Sequence, residues 1–271
     1  MLIIPYLNPI ENWNLHFAHL IARQVPNGFI SGVIVGERRK GKSAYALKTG
    51  AKVYKELYGL PDDDCWEASL KCFIFGPNNL SDRIQHQNDI DEVAPYWVID
   101  DSSVHFNPIL FFINPFLYSY LQGIFDTIGT VVNGLVLTCP KKQRLMKGLR
   151  VYDDLTIHIV KNEGGVSGYE RIARGILWFT MPDDKQRFRK QFEDFYSCYI
   201  PQDIYDKYLK ERKRYLKETN DLLIALRKRL DEQKSKKIGI LQQTTDEIKE
   251  TINETNEEIV ENEERPDGLS L

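Results

Sequence analysis

The chain has 271 residues, of which 42% are hydrophobic, 28% charged and 11% aromatic, a composition typical of a globular protein with one large domain and an appendage. Its formal net charge of −3 excludes a polycationic protein of the histone type. Four cysteines without a CxxC pair exclude a disulfide scaffold and a zinc ribbon. The first residues lack the basic start, apolar run and cleavage site of a signal peptide, so we expect an intracellular protein.

Helical and strand patterns alternate over the first 181 residues. Asn12 or Asn14 is expected to cap an amphipathic helix that reaches Gln24. Further along the chain the patterns predict strands at 32–35, 72–75, 97–100, 131–138 and 155–160, and helices at 42–57 and from Asp62 onwards. Strands that alternate with helices predict βαβ units, and therefore an α/β fold with a largely parallel sheet.

One apolar stretch has the composition of a membrane segment. Residues 109–125 contain no charged side chain. A spanning helix needs about 20 predominantly apolar residues, and here Asn114, Pro115 and Gly123 interrupt the run. We therefore predict a buried helix, loop and strand over 107–139, with a membrane span as the alternative.

The clearest motif is a phosphate-binding loop. Residues 36–43 read GERRKGKS, which fits the Walker A pattern GxxxxGK[ST], and the motif follows a predicted strand and begins a predicted helix. Glycines let backbone amides surround phosphate oxygens, and the helix N-terminus adds the positive end of its dipole. We expect Lys42 to reach the β/γ-phosphates of ATP and Ser43 to ligate Mg²⁺. The predicted nucleotide-binding residues are Gly36, Glu37, Arg38, Arg39, Lys40, Gly41, Lys42, Ser43 and Ala44.

A predicted strand that ends in two carboxylates supplies the second half of such a site. The sequence YWVIDD at 96–101 places Asp100 58 residues after Lys42. We predict that Asp100 holds Mg²⁺ through water, and that Asp101 orients or deprotonates the attacking water. Glu37 is a competing carboxylate within the loop. A helix cap or turn former at the end of a strand is the alternative for both aspartates.

Three residues further along are candidates for the same site. Thr138 ends the strand GLVLT and is placed to sense the γ-phosphate; a simple strand-end hydrogen bond is its alternative. Arg144 and Arg150 follow, and either is placed to reach the phosphate of a neighbouring subunit as an arginine finger. Surface salt bridges are the alternative for both arginines.

Charge separates the last third of the chain into two opposed segments. Residues 207–237 hold 12 Lys and Arg against 5 Asp and Glu, a net of +7, whereas residues 245–268 hold 2 against 10, a net of −8. We predict an ATPase domain at 1–200, a basic helical arm at 201–237 and an acidic, flexible tail at 238–271. The basic run Arg227, Lys228 and Arg229 is the candidate DNA contact.

Four segments also resemble a known family. They are NGFISGVIVGERRKGKSAYALKTGAKVY, YWVIDDSSV, GLVLTCP and the series Pro201, Tyr205, Tyr208, Arg212 and Tyr215. In this order they are similar to the P-loop ATPases of spindle-shaped viruses and integrative plasmids of thermoacidophilic archaea, which are described as DnaA-like. The resemblance covers roughly residues 13–220. It implies an additional-strand P-loop fold, AAA+ or RecA-like, and ATP hydrolysis by Lys42, Ser43, Asp100 and Asp101.

These observations lead to a functional hypothesis with open alternatives. We expect an ATPase that uses ATP and Mg²⁺ and acts on viral or plasmid DNA in replication initiation or remodelling. The alternatives are a genome-packaging or partition motor, and a nucleotide-switched interaction protein with little turnover. The expected partners are DNA, viral or host replication proteins and further copies of the chain when ATP is bound, with no membrane. The expected location is the cytoplasm, that of the host cell if the chain is viral.

Overall fold

The computed structural model describes residues 9–106, 115–145, 155–164, 168–180 and 186–218, with scattered helical positions after residue 218. Arg150 and nearly all of the acidic tail lie outside the described residues. The chain divides into two units, Met1–Arg212 and Lys213–Leu271. The first unit ends with the helical residues 202–212, here called the C-terminal helical segment, and the second begins with the helical residues 213–218.

A seven-stranded sheet organises the first unit, in the order β2-β3-β4-β1-β5-β6-β7. Its first five strands are parallel to one another, and the last two pairings are antiparallel. The strands are β1 Ile30–Val35, β2 Phe73–Ile74, β3 Trp97–Ile99, β4 Gly134–Cys139, β5 Leu155–Lys161, β6 Glu170–Thr180 and β7 Gln186–Ser197. Strand β4 lies between β1 and β3, which is the additional-strand arrangement expected for the P-loop class.

Helices cover both faces of this sheet, as right-handed βαβ crossovers require. Before the C-terminal helical segment, the described α-helices of the first unit are α1 His16–Ala22, α2 Lys42–Tyr58, α3 Asp62–Lys71, α4 Pro77–Ile90, α5 Ser102–His105 and α6 Pro115–Thr127. Helix α2 ends where Gly59 takes a left-handed φ of 62° and donates its N–H to the carbonyl of Lys55. Three consecutive aspartates then begin α3 and favour its positive N-terminal end.

The core follows from the two-residue period of the strands. Val33 and Val35 of β1 lie in one cluster with Ile99, Leu137 and Phe125, which fills the face covered by α6. The intervening Ile34 is fully buried on the opposite face. On that face α1 packs on α2, where the rings of Phe17 and Tyr45 stack with centroids 6.4 Å apart. Strands β1 to β4 are therefore buried on both faces of the sheet.

The cap predicted for the first helix is wrong. Helix α1 begins at His16, and neither Asn12 nor Asn14 caps it, because residues 10–12 form a separate 3₁₀ turn. The carboxylate of Asp194, on β7, accepts the backbone N–H groups of His16 at 2.8 Å and Phe17 at 3.2 Å. A residue 178 positions away thus performs the capping that we expected from a neighbouring asparagine.

Strands β6 and β7 form a long antiparallel hairpin that the sequence patterns did not predict. Strand β6 pairs with β5 on one side and β7 on the other, so β7 is the edge strand. The register shifts between Gly175 and Ile176, where Phe192 packs against the glycine. This irregularity interrupts the alternation of apolar and polar residues along the hairpin, and that alternation is the pattern by which a strand is predicted.

The apolar stretch forms part of the core. Over 115–139 the structure contains α6, a 3₁₀ turn at Ile128–Thr130 and β4, which confirms the predicted helix, loop and strand for these residues. Residues 107–114 lie outside the described part of the chain. Across the residues that the structure describes, we find no helix with the length and apolar character needed to cross a membrane.

Candidate nucleotide site

The phosphate-loop motif joins β1 to α2 at the carboxyl end of the parallel strands. Strand β1 ends at Val35, and α2 begins at Lys42 after Gly41, whose φ of 89° is in the left-handed region. A side chain at Gly41 would also collide with the sulfur of Cys198, which follows β7. Both the conformation and the space therefore require glycine at this position. The Tyr196 hydroxyl, from β7, donates to the Gly41 carbonyl at 3.1 Å.

Lys42 lies folded over the loop that precedes it. Its Nζ donates to the carbonyl oxygens of Gly36 at 2.9 Å and Glu37 at 2.8 Å. The side chain is buried, which lowers the pKa of Lys42, while the nearby carboxylates of Asp101 and Asp100 oppose that shift. The ammonium group thus lies over the loop that would bind a polyphosphate. Phosphate oxygens could take the place of the two carbonyl oxygens as its hydrogen-bond acceptors.

Ser43 in the first turn of α2, Asp100 directly after β3 and Thr138 near the end of β4 lie close together. Asp100 follows β3 and is only 1% exposed. Its Oδ1 accepts the hydroxyl of Ser43 at 2.9 Å and the hydroxyl of Thr138 at 2.6 Å. Because β4 lies between β1 and β3, Thr138 at its end is placed between the loop and the carboxylate. The predicted metal ligands Ser43 and Asp100 are therefore adjacent, and their oxygens are of the kind that Mg²⁺ prefers.

Asp101 occupies a turn of unusual conformation. Its φ of 46° and ψ of 37° are left-handed, which is uncommon for a residue other than glycine. Its N–H donates to the hydroxyl of Thr138 at 2.9 Å, and its carbonyl accepts the N–H of Val104 at 2.8 Å as α5 begins. The carboxylate is directed out of the sheet edge, where Arg212 forms an ion pair with it.

Two residues of the C-terminal helical segment complete the cluster, although neither was predicted from the sequence to have a role in the site. The Tyr208 hydroxyl donates to Oδ2 of Asp100 at 2.6 Å, and the ring packs on Phe73 and Phe75 with centroids 5.7 and 5.8 Å away. Arg212, one helical turn later, donates to Oδ2 of Asp101. The i, i+4 spacing of a tyrosine and an arginine on one helix face was the available signal.

Burial and the nearby carboxylates shift the pKa values of Tyr208 and Arg212. Burial, followed by the negative charge of Asp100, raises the pKa of the Tyr208 phenol far above its ordinary range, so the hydroxyl remains a donor. Burial opposes the charge of Arg212, but Tyr208, Asp101 and Asp100 outweigh it and raise the pKa of the guanidinium. The phenol therefore stays protonated and the guanidinium stays charged across the physiological pH range.

The remaining predicted residues lie apart from this cluster. Glu37 is 82% exposed at its side chain and pairs with Lys40 at 3.4 Å. Arg38 and Arg144 are exposed, and Arg144 ends a short 3₁₀ turn. The other loop residues, Arg39 and Ala44, lie in the bend after β1 and in the first turn of α2, with Arg39 at a positive φ of 61°.

The predicted DNA contact belongs to the second unit. Arg227 and Lys228 are helical and exposed, and Arg229 lies outside the described residues. Among the described residues there is no group of three or more His, Cys, Asp or Glu side chains that could hold a metal ion. A metal in the nucleotide site would therefore depend on hydroxyl groups and on the phosphates as well as on Asp100.

Comparison with known proteins gives a limited set of similarities. No protein-family model matches the chain. The chain is 27% identical over 210 residues to protein B-251 of Sulfolobus spindle-shape virus 1, covering 73% of this chain and 80% of that protein. Among solved structures, it is similar to the N-terminal domain of zonular occludens toxin from Neisseria meningitidis, with a TM-score of 0.37, 15% identity and coverage of 66% of this chain and 98% of that one. The DNA-packaging ATPase B204 of Sulfolobus turreted icosahedral virus gives a TM-score of 0.31 and 14% identity, over 61% of this chain and 99% of that one.

The sheet and the loop define the class of fold. A parallel sheet with β4 between β1 and β3, a GxxxxGKS loop that joins β1 to α2, and acidic residues at the end of β3 together form the additional-strand P-loop NTPase fold. The distant viral relative is consistent with the viral part of the resemblance noted in the sequence.

Proposed function

We propose that this protein binds ATP with Mg²⁺, hydrolyses it, and uses the hydrolysis to act on viral or plasmid DNA during replication initiation or remodelling. One observation carries the proposal: Lys42, Ser43 and Asp100 converge at the carboxyl end of the sheet, with Thr138 bonded to the same carboxylate. If Asp100 and Lys42 served only the stability of the fold, we would expect them to pair with each other. Instead, Asp100 accepts two hydroxyl groups and Lys42 donates to backbone carbonyls of the loop.

Each residue has a distinct role in this proposal. The loop amides and Lys42 bind the β/γ-phosphates, with Lys42 exchanging its carbonyl partners for phosphate oxygens. Ser43 and Asp100 hold Mg²⁺, which neutralises phosphate charge when bound. Asp101 orients the attacking water, and Thr138 positions Asp100 and senses the γ-phosphate. Glu37 is less suited to the role of base, since its side chain is exposed and paired with Lys40.

The DNA part of the proposal has separate support. Residues 207–237 carry a net charge of +7, and a relative at 27% identity is encoded by a virus. A basic segment binds phosphates without sequence preference, which suits an enzyme that acts on DNA at many positions. Further copies of the chain and viral or host replication proteins are proposed as partners, with Arg144 or Arg150 as the arginine finger between copies.

The test is phosphate release from ATP and Mg²⁺ by the full chain, measured alone, with duplex DNA and with single-stranded DNA. We expect hydrolysis that DNA stimulates. Lys42→Ala should abolish it and weaken ATP binding, because the loop loses the only side-chain ammonium that the described structure places over it. The matched control is Lys71→Ala, which removes an exposed lysine from the last turn of α3 and should leave turnover unchanged.

The alternatives predict different results in the same assay. ATP binding without turnover, under all DNA conditions, would contradict the proposal and indicate a nucleotide-switched interaction protein. Stimulation that requires an added capsid component would instead indicate a packaging motor. Retained turnover in Lys42→Ala would contradict the ATPase assignment itself.

A further inference from the structure

At its outer end the β6–β7 hairpin continues past the described part of β5. Strand β5 begins at Leu155 in the described residues, where it pairs with Leu177 of β6. Three further residue pairs of β6 and β7 continue past that point, from Trp178 opposite Phe188 to Thr180 opposite Gln186. We call residues 178–180 and 186–190 the hairpin tip. A two-stranded ribbon of this kind offers both of its faces and its edge to a partner.

The hairpin tip exposes two aromatic rings side by side. Trp178 is 44% exposed and Phe188 is 64% exposed. They are directly opposite each other in the register, so they share one face, and their ring centroids lie 5.4 Å apart at an angle of 49°. Further along the same hairpin, Phe192 and Tyr196 lie in the core, whereas Phe195 is exposed. The hairpin tip thus exposes Trp178 and Phe188, although β7 also contributes buried rings to the core.

Basic residues stand next to one of these rings along β7. Arg187 and Arg189 flank Phe188 on β7, and both are exposed. Since neighbouring residues of a strand point to opposite faces, the two arginines lie on the reverse face, with chains long enough to reach around the edge. Lys190 and Arg174 both pair with Glu193 nearer the sheet. The two arginines therefore contribute positive charge beside the aromatic pair.

We propose that the hairpin tip is a binding surface for single-stranded DNA, with Trp178 and Phe188 stacking on bases and Arg187 and Arg189 contacting phosphates. The inference rests on the proposed function in that DNA is the polymer on which the protein acts. Stacking on ring faces requires bases that have left a duplex, and every base offers such a face. Arginine binds phosphate without reading sequence, so this combination predicts binding with little sequence preference.

The experiment measures binding of the full chain to a fluorescent oligothymidine by anisotropy, with the intrinsic tryptophan emission recorded in parallel. Trp178→Ala and Phe188→Ala should each weaken binding by roughly 5- to 100-fold, since each removes one stacking surface. Tyr120→Ala, which removes a similarly exposed ring from α6, is the matched control and should bind like the wild type. Trp178→Phe should retain binding but lose most of the emission change.

The charge contribution has its own readout. On single strands each phosphate contact contributes about −0.7 to the slope of log affinity against log salt. The double variant Arg187→Ala/Arg189→Ala should therefore flatten that slope by about 1.4. Lys71→Ala/Lys161→Ala removes two exposed lysines elsewhere and should leave the slope unchanged.

The outcomes separate this inference from the proposed function. If the wild type binds DNA and both aromatic variants bind equally well, the hairpin tip is not the contact, while the proposed function stands. Equal effects of the aromatic variants on duplex and single-stranded binding would also overturn the stacking role. If neither the wild type nor any variant binds the oligonucleotide at low salt, the inference fails, and the phosphate-release assay then decides the proposed ATPase independently. Normal ATP binding by each variant shows that it is folded.

Discussion

The hydroxyl of Tyr208 donates a hydrogen bond of 2.6 Å to Oδ2 of Asp100, across 108 positions of the chain. Together with Ser43 and Thr138 on Oδ1, this contact gives both oxygens of the carboxylate a hydroxyl partner. Desolvating an ionised carboxylate is costly unless donors compensate it. Tyr208 therefore links the C-terminal helical segment to the edge of the sheet at the carboxyl ends of its parallel strands, through the residue that we expect to hold the metal.

Tyr208→Phe tests the strength of this link. The variant keeps the ring against Phe73 and Phe75 but leaves Oδ2 of Asp100 without its donor, so the free energy of unfolding should fall by about 1–3 kcal/mol. The measurement is urea denaturation without nucleotide. Tyr205→Phe is the matched control, because Tyr205 is exposed on the same segment. Equal losses in the two variants would show that the Asp100 contact is not the reason.

Asp101→Asn tests the proposed base. The amide has nearly the same shape as the carboxylate, but it accepts protons poorly and does not pair with Arg212 as an ion. We expect ATP binding to persist while turnover falls by about 10²–10³. The measurements are ATP affinity by a fluorescent analogue and phosphate release. Near-normal turnover in this variant, together with slow turnover in Glu37→Gln, would show that Glu37 rather than Asp101 activates the water.

Asp194→Ala tests the long-range cap of α1. The carboxylate is fully buried and accepts the N–H groups of His16 and Phe17 as well as the hydroxyl of Tyr45 at 2.6 Å. Removing it leaves three donors without their acceptor, two of which, the Phe17 N–H and the Tyr45 hydroxyl, are buried, and the free energy of unfolding should fall by about 3 kcal/mol or more. Asp126→Ala, at an exposed position of α6, should change it by less than about 0.5 kcal/mol. A small loss in Asp194→Ala would mean that water replaces the carboxylate.

Lys48 gives the unfolding free energy a pH dependence that can be measured. Its ammonium group is buried over the rings of Trp13, at 4.2 Å, and Trp66, at 5.5 Å. Cation–π contact favours the charged form, yet burial lowers the pKa of Lys48 to about 8 from its ordinary 10.5. Between these two values the unfolded chain binds more protons than the folded chain, so the stability of the folded state rises with pH in that window.

Lys48→Met removes this dependence. Below pH 8 the wild type carries the full cost of the buried charge, so the variant should be the more stable protein there, and its advantage should shrink as the pH rises from about 8 to 10.5. Urea denaturation at several pH values measures the difference. Lys71→Met, at an exposed lysine, should show no such trend. An advantage that stays constant with pH would indicate that packing, rather than ionisation, explains it.

The parts of the site that could be predicted are those whose residues lie close together in the sequence. The loop from Gly36 to Ser43 has its glycines, lysine and serine within eight consecutive residues, and the aspartates follow a recognisable apolar strand. The place of β4 between β1 and β3 was expected only from the resemblance to the P-loop ATPases, which implies an additional-strand fold. Thr138 was found because strand ends of a parallel sheet meet at one edge.

The parts that were missed depend on contacts between distant segments. Tyr208 and Arg212 look like members of a basic helix until the fold brings them to Asp100 and Asp101. Asp194 looks like one acid in an aromatic and charged run, and only the packing of β7 beside α1 makes it a cap. Local spacing shows that Tyr208 and Arg212 share a helix face, but it does not identify partners that are more than 100 residues away.

Strand β7 runs between the phosphate loop and the hairpin tip. At its inner end Tyr196 is hydrogen-bonded to Gly41 of the phosphate loop, and at its outer end it carries Arg187, Phe188 and Arg189. Twelve extended residues span about 40 Å. One continuous strand therefore contacts the phosphate loop near one end and carries the exposed aromatic ring and the two arginines near the other.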